Sequence, residues 1–118
     1  MAIHKELPIY KVAYDLLSVS VDYVVNMPRA FKGAIGGRVS SLCVEIVLQI
    51  LRANVAREKV PHLETLRERV AELELLLRLC VDKRFISREQ YAKAVELTTS
   101  VGKQATKWKQ HHAKPPAI

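Results

Sequence analysis

Apolar side chains recur along this chain at the spacing of amphipathic helices, in four long segments. The segments cover residues 8–26, 33–56, 61–83 and 88–110. Pro8, Pro28 and Pro61 lie before or at the start of the first three segments, where a helix tolerates proline, and Ser87 precedes the fourth. Neither an Asn-Gly nor an Asp-Gly pair, which would favour a β-hairpin, separates any two segments. The pattern therefore predicts an all-α protein, an up-down-up-down four-helix bundle.

The third and fourth segments show the clearest helical signals. In the third, apolar residues alternate at three- and four-residue steps, namely Leu63, Leu66, Val70, Leu73, Leu77 and Cys80. In the fourth, Gln90 follows Ser87 at the spacing of a capping box. Trp108 falls on the apolar side of this helix, so we expect it in the core rather than on a base-stacking surface.

The second segment is apolar over about two thirds of its helical wheel, which leaves only a narrow polar strip at Glu45, Gln49 and Arg52. The third segment is similarly apolar around Leu77. One small bundle does not need this much apolar surface, so we predict self-association into a homo-oligomer. The predicted interface residues are Val44, Leu48, Leu51, Leu75 and Leu79. The alternative is that these two helices are the most buried pair of a monomer.

Composition supports a single domain over residues 1–118, with 49% hydrophobic and 26% charged residues. The formal net charge is +7, and positive charge concentrates in the second and fourth helices and their flanks. Residues 29–59 carry six bases and two acids, and residues 78–118 carry nine bases and three acids. This distribution favours RNA or DNA as a partner. The predicted nucleic-acid-binding residues are Arg38, Arg52, Lys93, Lys103, Lys107 and Lys109. A solvated basic face without a partner is the alternative.

The sequence lacks the patterns of catalysis. The glycine-rich run 33–37 follows no predicted strand and lacks the lysine of a phosphate-binding loop, so we expect it to permit a tight helix start or close helix packing. Glu64, Glu68 and Glu72 form an acidic row, but the Glu-x-x-His element of a di-metal bundle is missing. The histidines lack metal-ligand spacing, and no serine sits in a nucleophile turn. We expect no enzyme activity, cofactor or metal.

Cys43 and Cys80 lie in apolar segments and are interpreted as two buried thiols of a reducing compartment. The first residues lack the apolar core of a signal peptide. The most apolar stretch, 42–51, is shorter than the roughly 20 residues of a membrane span. We therefore expect a cytoplasmic protein without a membrane partner, and a flexible tail over residues 111–118.

Short motifs along the chain add a resemblance to a known family. In chain order they are Leu7-Pro8-Ile9-Tyr10, Met27-Pro28-Arg29 with Phe31, Gly36 with Arg38, Ile50 to Asn54, Leu75 to Leu79, Ile86-Ser87 with Gln90-Tyr91, and Val101-Gly102-Lys103 with Trp108. This order, over about residues 7–110, resembles the accessory variability determinant family of diversity-generating retroelements. The four-helix-bundle proteins encoded in intervening sequences of bacterial 23S ribosomal RNA genes are a related group.

The resemblance implies a barrel-shaped homopentamer with a basic surface that binds nucleic acid and the element's reverse transcriptase, without catalysis of its own. Onto the family's basic stretches it maps Arg38, Arg52, Arg78, Lys103 and Lys107. This chain departs from the family where Gln104 to Lys107 replace a glycine-rich run before the tryptophan. The alternative function is a structural or interaction module of the intervening-sequence type.

Overall fold

The computed structural model describes residues 6–113, which are helical almost throughout and contain no strand in that range. The long helices are α1 (Pro8–Val25), α2 (Gly37–Val55), α3 (Val60–Asp82) and α4 (Arg88–His112). Each packs on its sequence neighbours, and α4 also packs on α1, so the helices close a ring around one core. The molecule measures 53 × 30 × 23 Å. This all-helical arrangement is compatible with the predicted four-helix bundle.

The sequence pattern predicts that the second helical segment begins at Gly33. In the structure this segment begins at Arg29. A short α-helix (Arg29–Phe31) leads into a π-helical turn (Lys32–Gly36), which continues into α2. The carbonyl of Pro28 accepts hydrogen bonds from two backbone N–H groups in this first turn, at 3.0 Å each. Because Pro28 caps the chain in an extended conformation, the helix starts directly after it.

The packing around Gly36 explains why the glycine-rich run 33–37 lies at the start of the second helical segment. Gly36 is buried, and a Cβ atom at this position would lie 2.7 Å from Cγ1 of Val24 and 3.4 Å from Sδ of Met27. Only glycine therefore lets the π-helical turn pack against the end of α1, which confirms the predicted role in close packing. Gly33 and Gly37 have open space around them.

The core contains the apolar stripe predicted for α3, together with buried residues of the other three long helices. All six predicted stripe residues of α3 are buried: Leu63, Leu66, Val70, Leu73, Leu77 and Cys80. From α4 the buried residues are Ala94, Leu97, Thr98, Val101 and Ala105. Trp108 is half-buried and packs against this core, as expected. Burial of these side chains supplies most of the driving force for folding.

Specific contacts fix the helix ends. In the capping box of α4, the Gln90 N–H donates to Oγ of Ser87 at 3.0 Å, and the Ser87 N–H donates to Oε1 of Gln90 at 2.9 Å. At the end of α2, Nζ of Lys59 donates to the carbonyls of Ala53, Asn54 and Ala56 at 2.9 to 3.1 Å. A cation at this end also complements the helix dipole.

Helix α4 extends further than the sequence indicated. His111 and His112 belong to its last turn, so the predicted flexible tail does not begin at residue 111. Their rings pack edge to face with centroids 5.0 Å apart. Residues 114–118 of the predicted tail lie outside the described residues.

Candidate nucleic-acid and assembly surfaces

Three of the predicted nucleic-acid-binding residues lie exposed on the outward side of α4. They are Lys93, Lys103 and Lys107, and none of them forms an ion pair within residues 6–113. Glu89 and Glu96 share the first half of this side, whereas its second half carries no acid. Lys109, by contrast, is half-buried, and its Nζ lies 3.4 Å from Oε1 of Glu64 on α3.

A shallow groove of about 970 Å³ runs between α3 and α4. Lys103 and Lys107 line its α4 side, while Glu64, Glu68 and Glu74 line its α3 side. The Glu74 carboxylate is held by Oγ1 of Thr98, which donates to Oε2 at 3.0 Å. A phosphate backbone lying inside this groove would meet the carboxylates, so a polyanion is better bound along the outer, lysine-bearing side of α4.

Arg38 lies in an ion-pair network between α2 and α3. Its Nε donates to Oε2 of Glu72 at 2.7 Å, and its Nη2 donates to Oε1 at 2.8 Å, which makes a bidentate pair. Nη1 also lies 3.4 Å from Oε2 of Glu45, which itself lies 3.7 Å from Nε of Arg69. The hydrogen bond from Arg38 lowers the pKa of the Glu72 carboxyl. The guanidinium therefore links two helices and has few donors left for a phosphate.

The six predicted basic residues do not lie on one surface of a single chain. Arg52 is exposed on α2, which lies diagonally across the ring from α4. Arg38 and Lys109 face carboxylates of α3. Lys93, Lys103 and Lys107 thus form the only group among the six that shares one side of a helix, is exposed and is free of ion pairs within the described chain.

The predicted assembly residues are partly or largely exposed. Val44 and Leu48 are 45% and 40% exposed on α2, and Leu75 is 69% exposed on α3. Leu51 and Leu79 are half-buried. Val44, Leu48, Leu51 and the exposed Val55 follow one another at helical spacing, so they form a stripe on the side of α2 opposite its core residues. Water-exposed apolar stripes of this kind are typical of contact surfaces.

Sequence reasoning missed the contribution of α1 to this apolar surface. Tyr14, Val21 and Val25 are exposed, and their seven- and four-residue spacing places them on one side of α1. Helix α1 packs on α2, and Val24, which adjoins Val25, lies against Gly36 of the π-helical turn that leads into α2. We define the α1–α2 apolar surface as Tyr14, Val21, Val25, Val44, Leu48, Leu51 and Val55. The signal in the sequence was that Tyr14, Val21 and Val25 lie at helical spacing on a different side from the buried residues of α1, which are Ile9, Ala13, Leu16 and Ser20.

The sequence matches the bAvd-like family over residues 7–112, nearly the whole chain. The chain belongs to the bAvd-like family. This finding confirms the resemblance to the accessory variability determinant proteins that the sequence motifs indicated.

The bAvd-like fold also occurs in a solved structure. A crystal structure of a protein of unknown function from the S23 ribosomal protein family of Bacteroides thetaiotaomicron superposes with a TM-score of 0.77 at 17% identity. The match covers 86% of this chain and 98% of that one. At this identity the likeness concerns the fold alone. No curated protein matches the chain significantly.

The two cysteines of this bAvd-like chain are free and buried, as predicted. Burial raises the pKa of the Cys43 thiol to about 11, and the neighbouring Ser20 hydroxyl partly opposes this shift. Burial also raises the pKa of Cys80. Both thiols are therefore protonated at neutral pH and unreactive. Within residues 6–113, no three His, Cys, Asp or Glu side chains cluster as metal ligands would.

One helical segment, Arg29–Val55, is long and apolar enough by length and composition to cross a membrane. The shorter stretch considered in the sequence therefore understated its apolar length. This criterion uses length and composition alone, and α2 also contributes seven buried residues to the interior of the bundle. Membership of the bAvd-like family agrees with a soluble chain.

Proposed function

We propose that this chain is a non-enzymatic accessory protein of a diversity-generating retroelement. In this proposal it assembles into a homopentamer and binds nucleic acid and the element's reverse transcriptase through a basic surface. The observation that carries the proposal is the bAvd-like match over residues 7–112. The net charge of +7 supports a polyanionic partner.

The lysines of α4 are the part of the described surface best suited to phosphate contact. Lys93, Lys103 and Lys107 are exposed and project from a rigid helix, so binding them to phosphates breaks no ion pair within residues 6–113. Lysine binds phosphate as a flexible point charge and reads no base sequence. Such a surface holds an RNA or DNA template near the polymerase without selecting its sequence.

Assembly into an oligomer would increase the overall affinity that these weak lysine–phosphate contacts provide. The α1–α2 apolar surface contains no residue of α4, so subunit contacts through it do not use Lys93, Lys103 or Lys107. Each subunit of a ring then presents the same lysines to one long polyanion. Binding at one subunit raises the effective concentration of phosphates at the next, which increases the overall affinity without new contacts.

The double variant Lys103→Glu/Lys107→Glu tests nucleic-acid binding at α4. We expect it to bind structured RNA and duplex DNA more weakly, by a similar factor for every sequence. For duplex DNA, the slope of log affinity against log salt should fall by about 1.8, since each lost phosphate contact contributes about 0.9. Fluorescence anisotropy at several salt concentrations measures both effects.

The control variant Lys11→Glu/Arg57→Glu carries the same charge change at exposed residues outside α4. If the control lowers the affinity for nucleic acid as much as the α4 variant does, net charge alone governs binding. The proposal that nucleic acid binds at the α4 lysines is then wrong. A parent protein whose affinity does not depend on salt would contradict nucleic-acid binding altogether.

The structural neighbour favours a second candidate, a structural or interaction module of the 23S intervening-sequence type. The observation that supports this second candidate is the structural match to a member of the S23 ribosomal protein family, with a TM-score of 0.77. The gene's neighbours separate the two candidates. A reverse-transcriptase gene with paired repeats supports the retroelement role, and a ribosomal RNA locus supports the alternative.

A further inference from the structure

A second basic surface lies at the end of the bundle formed by the α1–α2 and α3–α4 connections. Residues 26–32 and 83–88 carry five bases and no acid. These bases are Arg29, Lys32, Lys83, Arg84 and Arg88. All five are exposed, and none forms an ion pair within the described residues. We call these five residues the loop-end cluster.

Two aromatic rings join the two connections. Phe31 stacks on Phe85 with ring centroids 4.6 Å apart and planes inclined by 27°. Phe85 is half-buried, whereas Phe31 remains 43% exposed, next to Lys32 in the chain. An exposed ring beside unpaired cations is the arrangement on which unpaired bases stack while phosphates contact the cations.

Arg84 has an unusual backbone conformation in this cluster. Its φ is +62°, the left-handed region, and it is the only non-glycine residue with positive φ in the described chain. The Phe85 N–H donates to the Cys80 carbonyl at 2.8 Å, and the Arg84 N–H donates to the Val81 carbonyl at 3.1 Å. These bonds form the Schellman motif that ends α3, a motif in which glycine normally occupies the left-handed position.

An arginine at a glycine position is strained, and its side chain forms no ion pair in the described residues that would account for it. Strained backbone of this kind is frequent at functional sites. Arg84 lines a groove together with Phe85 and Arg88, and the acid in this groove, Asp82, is paired with Arg78.

We propose that the loop-end cluster with Phe31 binds single-stranded nucleic acid, by stacking an unpaired base on Phe31 and contacting its phosphates with Arg84, Lys32 and Arg88. Charge favours this occupant, because the five unpaired bases outnumber the flanking acids Asp82 and Glu89, of which Asp82 is already paired with Arg78. The net positive charge repels a basic partner and attracts a polyanion. The exposed ring favours single strands over duplexes, since paired bases have no free face to offer. The inference rests on the proposed function only for the class of ligand, and it concerns a surface at a different place from the α4 lysines.

Two variants of the full chain test the site with labelled poly(U) RNA and with a duplex of the same length. Phe31→Leu keeps an apolar side chain over Phe85 but removes the stacking ring, so affinity for poly(U) should fall about tenfold while duplex affinity is unchanged. Arg84→Gly relieves the left-handed strain and removes one cation. It should raise the melting temperature by a few degrees, yet weaken poly(U) binding and lower its salt slope by about 0.7.

Arg57→Gln is the matched control, because Arg57 is an exposed base at the opposite end of the bundle. It should leave the affinity for poly(U) within about twofold of the parent's. The proposed single-strand site is contradicted if Arg84→Gly stabilises the protein without weakening poly(U) binding. It is also contradicted if Phe31→Leu lowers the affinities for the duplex and for poly(U) by the same factor. In either case the α4 lysines can still bind nucleic acid, so the proposed function would stand. If the parent binds neither probe, both proposals fail.

Discussion

At the scale of single residues, the pair between Arg38 and Glu72 is the strongest polar link between α2 and α3. Two hydrogen bonds of 2.7 and 2.8 Å join a planar guanidinium to a carboxylate, a geometry that lysine cannot reproduce. Glu45 and Arg69 extend the pair into a network of alternating charges. A phosphate could recruit Arg38 only by displacing Glu72.

This pair predicts a contribution to stability that depends on pH. The pKa of Glu72 is lowered from its usual value of 4.5, chiefly by the hydrogen bond from Arg38. A lowered pKa in the folded state stabilises the protein above the unfolded-state value and ceases to do so as the pH falls through the folded-state value. We therefore expect Glu72→Gln to lower the urea midpoint at pH 7, and the difference from the parent to shrink by pH 3.

Glu68→Gln is the control, because Glu68 is exposed on the same helix and forms no ion pair in the described chain. Its urea midpoint should follow the parent's at both pH values. A difference between Glu72→Gln and the parent that is as large at pH 3 as at pH 7 would show that the ion pair does not provide the stabilisation.

At the scale of secondary structure, the π-helical turn (Lys32–Gly36) decides how α2 meets α1. Gly36→Ala would place a Cβ atom 2.7 Å from a methyl of the short, branched Val24, which cannot swing away. We expect a loss of about 1 to 3 kcal/mol in the free energy of unfolding, as for overpacked cores. Urea denaturation followed by circular dichroism measures it.

Gly33→Ala, in the same π-helical turn, should change the free energy of unfolding in the opposite direction. Its Cβ atom would meet nothing within 4 Å, and the backbone of Gly33 does not have positive φ. Alanine there restricts the unfolded chain and should stabilise the protein by about 0.4 to 1 kcal/mol. Equal effects of the two substitutions would contradict the packing role of Gly36.

At the scale of the whole molecule, the exposed large apolar side chains of residues 6–113 other than Phe31 lie on two separate faces. Tyr14, Val21, Val25, Val44, Leu48 and Val55 lie on α1 and α2, whereas Leu75 lies on α3. A two-fold dimer pairs one patch with its own copy, but a closed ring joins two different patches of successive subunits. The proposed homopentamer therefore predicts contact between the α1–α2 apolar surface of one subunit and the Leu75 face of the next.

Two charge substitutions and their mixture test this arrangement. Light scattering of the parent should give a multiple of 13.4 kDa. Leu48→Glu and Leu75→Glu should each give monomers, because each places a charge in one of the two faces. Their equimolar mixture should form a heterodimer, since each variant retains the face that the other has lost.

Thr99→Glu, at an exposed position of α4, should leave the parental mass unchanged. A parent of 13.4 kDa at micromolar concentration would contradict assembly. Failure of the mixed variants to associate would contradict contact between two different faces.

The sequence by itself determined the four helices, the core stripe of α3, the capping box, the buried thiols and the family. These features depend on local spacing, since an apolar residue every three or four positions forms one helical face wherever that face packs. Contacts between helices required the tertiary structure. It joined Arg38 to Glu72, showed why Gly36 has no side chain, left Val21 and Val25 exposed on α1, and stacked Phe31 on Phe85. The residues of each such pair are far apart in the chain or on different helices, so no period in the sequence reveals them.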